Sequence, residues 1–394
     1  MKDVTKLGNI ADIYDGPHAT PKKIENGKYF LSISSLDNGS LDLSKSAFIS
    51  DKDFIKWTKR VQPQKGDLLF SYETRLGEAA LMPDNLQACL GRRMGLLRPK
   101  KDKVIPQYLL FAYLSPEFQK VIRKNTIKGA TVDRIALNEL GNFPIYIPDL
   151  KTQQSIAAVL SALDKKIALN KQINAHLEEM AKTLYDYWFV QFDFPDANGK
   201  PYKSSGGEMV FDETLKREIP KGWKPFKLSE LVTLSTGKED ANFATEQGIY
   251  PFFTCSEKIL KCDVYSFDTQ AILLAGNGTF SVKRFTGRFN AYQRTYVLEP
   301  KSKNLYPIVY FVIIDNVIKF TSGSRGSIIK FITRGDIEHI DVVLPNDIEN
   351  MRFSEVLYTY LLQAELLEKQ NYQLTQLRDF LLPMLMNGQV SVAE

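Results

Sequence analysis

The chain has 394 residues, more than one typical core organises, so two or more domains are expected. With 44% hydrophobic and 25% charged residues its composition is that of a globular protein, which excludes wholesale disorder, and no apolar run reaches the roughly 18 residues of a membrane span. The formal charge of +5 is too small to establish a nucleic-acid partner, although residues 1–150 hold 23 Lys+Arg against 17 Asp+Glu.

Met1 to Lys6 carries no apolar export region, and Cys89, Cys255 and Cys262 are odd in number with no CxxC spacing. Both features point to a reducing cytoplasm and away from structural zinc or a disulfide framework. The GPHATPK loop, with His18, Thr20 and Lys22, is a further, weaker candidate contact loop. Asp67 to Tyr72 (DLLFSY) is short, apolar and rich in strand formers, and the turn after it exposes Tyr72, Thr74 and Arg75. Tyr108 to Tyr113 is an apolar run that could be helix or strand. A basic loop comes next: Lys120, Arg123, Lys124, Lys128 and Arg134, with Gly129 and Thr131 inside it. Phe143 to Ile147 reads as another strand.

From Asp149 the apolar period becomes helical. Ile156, Leu160, Leu163, Ile167, Asn170, Asn174, Leu177, Ala181, Leu184 and Trp188 alternate in steps of four and three, the a/d seam of a coiled coil. Gln191 to Trp223 is rich in Pro, Gly, Ser and Asn and reads as a linker, which Phe192, Phe194, Tyr202 and Met209 should dock onto something.

The chain beyond the linker repeats the part before it. Lys6–Gly16 (KLGNIADIYDG) matches Lys227–Gly237 (KLSELVTLSTG) at an offset of 221, and Arg92–Pro99 (RRMGLLRP) matches Gln293–Pro300 (QRTYVLEP) at 201. Gly129–Pro148 matches Gly326–Pro345 at 197, an offset that persists into a second helical seam. That seam runs through Phe353, Leu357, Tyr360, Ala364, Leu367, Asn371, Leu374, Arg378, Leu381 and Leu385. The shrinking offset places the shorter loops of the second copy in its front half. Its strands are Ala271 to Ala275 and Ile340 to Leu344, and Val309 to Ile314 is a second ambiguous run. The turn after the first strand holds Asn277, Thr279, Lys283 and Arg284. The second basic loop holds Lys319, Ser322, Gly323, Ser324, Arg325, Gly326, Lys330 and Arg334, and no acid lies between Asn316 and Gly335.

An Asn in each seam, Asn174 and Asn371, weakens the pairing but fixes its register. Two domain-plus-helix units in tandem can pair their helices antiparallel, giving a rod about 50 Å long from roughly 35 residues. Arg378, where the first copy has Ala181, departs from an ideal seam.

The stretches YDYWFVQFDFPDANGKPYKSSGGEMV and LKREIPKGWKPFKLSELV, and the paired strand ends at Pro144–Pro148 and Val342–Pro345, resemble the specificity subunit of type I restriction-modification systems over nearly the whole length. The resemblance implies an α+β chain with two mixed target recognition domains, 1–150 and 220–348, each followed by a long helix (151–190 and 349–388), with a linker at 191–219. It implies a cytoplasmic, non-catalytic subunit that reads a bipartite asymmetric site on double-stranded DNA in host defence. Long helices would dock two methyltransferase subunits, and restriction-motor subunits would join them. S-adenosylmethionine and ATP with Mg would belong to those partners. The alternative is a structural adaptor that assembles a complex without reading sequence.

Enzyme signatures are missing from the sequence. No Pro-Pro pair supplies an adenine methyltransferase motif, no GxxxxGK[ST] loop is present, and no PD-(D/E)xK pattern forms. His18, His176 and His339 have no metal spacing. In DNA recognition phosphate contacts give affinity and base edges give specificity. The basic loops are therefore the expected phosphate sites: Lys128, Gly129, Thr131 and Arg134 in the first copy, Ser324, Arg325, Gly326 and Lys330 in the second. The turn residues Tyr72, Thr74, Arg75, Asn277, Thr279 and Lys283 are the expected base readers, since Arg and Asn match major-groove edges.

Overall fold

The computed structural model describes residues 4–17, 19–129, 131–321, 331–348 and 351–392. It divides into two compact units, Met1–Ala168 with Tyr372–Glu394, and Leu169–Asn371. These bounds differ from the domain-then-helix division expected from the sequence. Each unit takes the N-terminal part of one long helix and the C-terminal part of the other. The reason is the direction of pairing: in an antiparallel pair the start of one helix lies beside the finish of the other, so a unit that takes one takes both.

In the first unit, Val4–Lys6 pairs antiparallel with Pro144–Tyr146. A four-stranded sheet has the order Ala11–Asp15, Met94–Pro99, Leu68–Ser71, Ala79–Leu81. Every residue of Leu68–Ser71 is buried, so this strand reads as a continuous apolar run. A three-stranded sheet, Ala47–Ile49, Lys28–Leu31 and Ala88–Leu90, completes the domain. The ambiguous run Tyr108–Tyr113 lies in the helix Pro106–Leu114, opened by a proline at its start. All six residues of that run are buried, so the helix has no polar face and left no 3.6-residue period to detect.

The second unit repeats this plan. Trp223–Lys227 pairs with Asp341–Pro345. A six-stranded sheet runs Val232–Thr236, Thr295–Pro300, Phe267–Ala275, Val282–Ala291, Tyr250–Phe253, Leu260–Cys262. Its first four strands have the order of the four-stranded sheet in the first unit. The run Val309–Ile314 lies in the helix Leu305–Thr321 and is again apolar all round.

The long helices are Leu150–Tyr185, of 36 residues, and Ser354–Met386, of 33. Every seam position named from the sequence is buried or half-buried, including Leu163, Ile167, Leu177, Leu184, Leu367, Leu374 and Leu381. In the second unit Asn170 donates to Asn371 at 2.9 Å and to Gln370 at 2.7 Å, while Asn174 donates to Glu368 at 3.1 Å. One partner number rises as the other falls, so the helices are antiparallel. The sequence singles out Asn174 and Asn371 as equivalents, but equivalents do not face each other in an antiparallel pair. The fully buried amide is Asn170, and it takes Asn371 as partner. In the first unit, Ile156, Leu160, Leu385 and Met386 join the domain core. There Arg378 reaches across the seam to Asp164 at 3.1 Å, which accounts for its place at an otherwise apolar position.

The linker is ordered. Phe194 stacks on Trp223 with ring centres 4.6 Å apart, and on Tyr202 at 4.7 Å. Ser204 binds the Asp193 carboxylate through its amide at 2.7 Å and its hydroxyl at 2.5 Å. Met209–Asp212 and Arg217–Pro220 then form a hairpin.

Candidate nucleic-acid interface

Each unit brings the same three loops together at the end of its central strand. In the first, the Tyr72 amide donates to the Arg93 carbonyl at 3.2 Å, and the Tyr72 carbonyl in turn accepts from the Ile135 amide at 2.9 Å. Thr74 N–H bonds to the Asp133 carbonyl at 3.2 Å, and Glu73 forms a β-bridge with Arg134. In the second unit, the Gly276 amide donates to the Arg294 carbonyl at 2.8 Å and its own carbonyl accepts from the Ile332 amide at 2.7 Å, while Asn277 bridges Phe331. The turn after the first strand, the arginine of the RRM/QRT stretch and the end of the basic loop are therefore neighbours twice over.

The turn itself is built alike in both. Thr74 has φ 69° and Gly278 has φ 70° at matching corners. Glycine enters this left-handed region freely, whereas a β-branched residue there costs on the order of 1 kcal/mol or more, a strain that gathers at functional loops. Gly129 has a different reason to be glycine. A Cβ would meet the Val132 carbonyl at 2.4 Å, so the small residue closes the loop on itself.

The expected residues divide by environment. Lys128, Gly129, Thr131, Arg134 and Thr74 are exposed, as are Lys120, Arg123, Lys124, Thr20, Lys22 and Lys319. Ser322, Gly323, Ser324, Arg325, Gly326, Lys330 and His18 lie outside the described residues. Others make contacts inside their unit, Thr279 and Arg334 among them although both are exposed. Tyr72 is 5% exposed. Arg75 donates to Glu78 at 2.7 Å and to the Ile33 and Leu36 carbonyls at 2.8 and 3.0 Å, tying the turn to the neighbouring segment. Thr279 Oγ1 donates to the Cys255 carbonyl at 3.0 Å. Lys283 donates to the Ser256 carbonyl at 2.7 Å, and burial draws its ammonium below the usual lysine range. Arg284 is buried within its unit, its side chain 4% exposed. Asn277 is half-buried, and Arg334 pairs with Glu338 at 2.6 Å.

A family profile described as the type I restriction modification DNA specificity domain matches residues 1–179 and 220–376. The chain belongs to this specificity family. The EcoDI specificity subunit of Escherichia coli is 45% identical over 181 residues, covering 44% of this chain and 40% of that one. The MjaIX specificity subunit of Methanocaldococcus jannaschii is 24% identical over 438 residues, 100% of this chain and 94% of its own. A crystal structure of the type I restriction-modification S subunit from M. genitalium shares the fold, with a TM-score of 0.63 at 15% identity over 98% of this chain and 96% of that chain.

In this specificity-family chain, reasoning from sequence misses Arg92, Arg93 and Arg294. Arg93 pairs with Glu73 at 2.9 Å beside the Thr74 corner; Arg92 and Arg294 are exposed. The signal is there, since Arg93 and Arg294 occupy one position in the RRMGLLRP and QRTYVLEP stretches. Those stretches serve on their own only to align the repeat. Among the described residues, no group of three or more His, Cys, Asp or Glu stands close enough to hold a metal, and no helix is long and apolar enough to cross a membrane.

Proposed function

We propose that the chain reads a split, asymmetric target on double-stranded DNA, one half-site per recognition domain, within a type I restriction-modification complex. The observation that carries this reading is the three-loop assembly formed in both units with different side chains at matching positions: Thr74 against Gly278, Glu73 against Asn277, Arg134 against Phe331. A shared frame with divergent exposed chemistry is what two readers of different base sequences require. Lys128, Thr131, Arg134, Arg92 and Arg294 are the phosphate contacts of this proposal; Thr74 and Asn277 stand nearest the bases.

The long helices dock methyltransferase subunits. Leu169 and Leu366 are repeat equivalents, exposed at 49% and 53%, and Met180 and Leu377 likewise at 48% and 45%. Exposed aliphatic residues recurring on both helices suit two copies of one apolar partner surface. S-adenosylmethionine, and ATP with Mg in the restriction-motor subunits, belong to those partners. A gel shift with the methyltransferase partner present tests the reading. Binding to target DNA that survives excess scrambled competitor is expected, and equal competition by scrambled DNA would leave the chain as an assembly adaptor.

A further inference from the structure

The strand Val282–Ala291 of the second unit carries Arg284, whose guanidinium touches three other elements of that unit. It lies 4.6 Å from the centre of the Tyr310 ring on the helix Leu305–Thr321. It donates to the Leu361 carbonyl of the second long helix at 3.1 Å. It forms an ion pair with Glu178 of the first long helix and stands 3.9 Å from Glu368 of the second.

Burying a guanidinium is costly, and well-packed apolar side chains serve stability as well or better. The first unit uses one. Arg284 pairs with Ile272, and Leu81 with Leu68, across the same two strands of the repeated sheet. Ile272 and Leu68 in turn face Leu298 and Leu97, which are equivalent in the repeat. Leu81 therefore fills the place of Arg284, and the fold itself does not demand a charge there. What a guanidinium adds over leucine is direction: its donors fix angles, whereas an apolar contact tolerates sliding. The Arg284 side chain is 4% exposed and that of Glu178 39%, so the pair has one buried and one part-exposed partner; burial holds the Glu178 carboxyl above the usual glutamate range even though Arg284 opposes the shift.

We propose that Arg284 is a positioning residue: by binding both long helices and Tyr310 it fixes the angle of the second recognition sheet on those helices, and with it the gap length the chain accepts between half-sites. This rests on the split-target reading above. The test uses the chain in complex with its methyltransferase subunits, after mapping methylated adenines in the native genome has defined the target. Affinity is then measured on duplexes with the native gap and with one base pair added or removed.

Arg284→Met removes the charge and keeps length, Glu178→Gln keeps shape and removes the partner, and Leu81→Ala is a packing defect in the first unit. Arg284→Met and Glu178→Gln are expected to lower the preference for the native gap about tenfold, equivalent to about 1.4 kcal/mol. Discrimination within each half-site stays unchanged, and Arg284→Lys restores part of the gap preference. Leu81→Ala lowers thermal stability without broadening the gap. Should Arg284→Met fail to fold, Glu178→Gln still reports. Wild-type gap preference in the folded variants, or equal broadening by Leu81→Ala, overturns the role of Arg284 alone. A wild-type complex with no gapped target overturns the parent reading instead.

Discussion

Arg134 and Arg294 are exposed, basic and beside the turn that each unit builds, so they test the interface most directly. If each neutralises one phosphate, Arg134→Ala and Arg294→Ala should weaken binding alike on target and scrambled DNA. Each should also lower the salt dependence of log K by about one; an unchanged salt slope would remove that arginine from the interface. Asp193 makes a separate, pH-dependent prediction. Hydrogen bonds from Ser204 hold its carboxyl below the usual range. A depressed pKa means that its contribution is present above the unfolded value and is lost as pH falls through the folded one. Acid unfolding of Asp193→Asn should therefore begin from a lower stability at neutral pH and show a shallower decline below about pH 4. The sequence points to the basic loops because charge is visible in composition. It does not show that Arg75, Thr279 and Lys283 spend their donors on nearby carbonyls, because those partners come from loops distant in sequence.

The paired helices are legible down to single positions, because a seam of fours and threes survives any tertiary context. What the periodicity leaves open is which residues meet across it. Leu177→Asp and Leu374→Asp should each cost about 2 kcal/mol or more, since a carboxylate placed in an apolar seam loses its hydration. Thermal melting of the chain and co-purification with its methyltransferase partner both read this, and normal values in both mutants would show that the seam does not hold the helices. The two helices Pro106–Leu114 and Leu305–Thr321 are the opposite case. Burial of Tyr108–Tyr113 and of Val309–Ile313 on every side erases the pattern that would announce them.

If each unit reads one half-site, as proposed above, the two readings are independent. Exchanging residues 1–150 for those of a relative should change one half-site and leave the other and the gap unaltered, as judged by methylation mapping. A graft must keep a core that accepts Ile156, Leu160, Leu385 and Met386, since these helix residues finish the first domain. Lengthening both helices by a heptad should change the gap alone. A continuous or palindromic target in the parent would rule out two separate readers. The tandem plan is visible in the sequence through its offsets. The way the units divide the helices is not, because that depends on which ends meet.

That division bears on synthesis. The second unit is one continuous stretch, Leu169–Asn371, whereas the first is closed by Tyr372–Glu394, a segment that leaves the ribosome after all the rest of both units. Contacts between segments so distant in sequence close slowly and cannot form before both helices of the pairing exist. The domain translated first is therefore completed last, and until then its apolar cluster lacks Leu385 and Met386. Ribosome-bound chains stalled with Asn371 just outside the exit tunnel and Tyr372–Glu394 still inside it should yield a protease-resistant second unit and a first unit still cleavable around Ile156 and Leu160. Resistance of the first unit at that stage would mean that its core does not wait for the C-terminal helix.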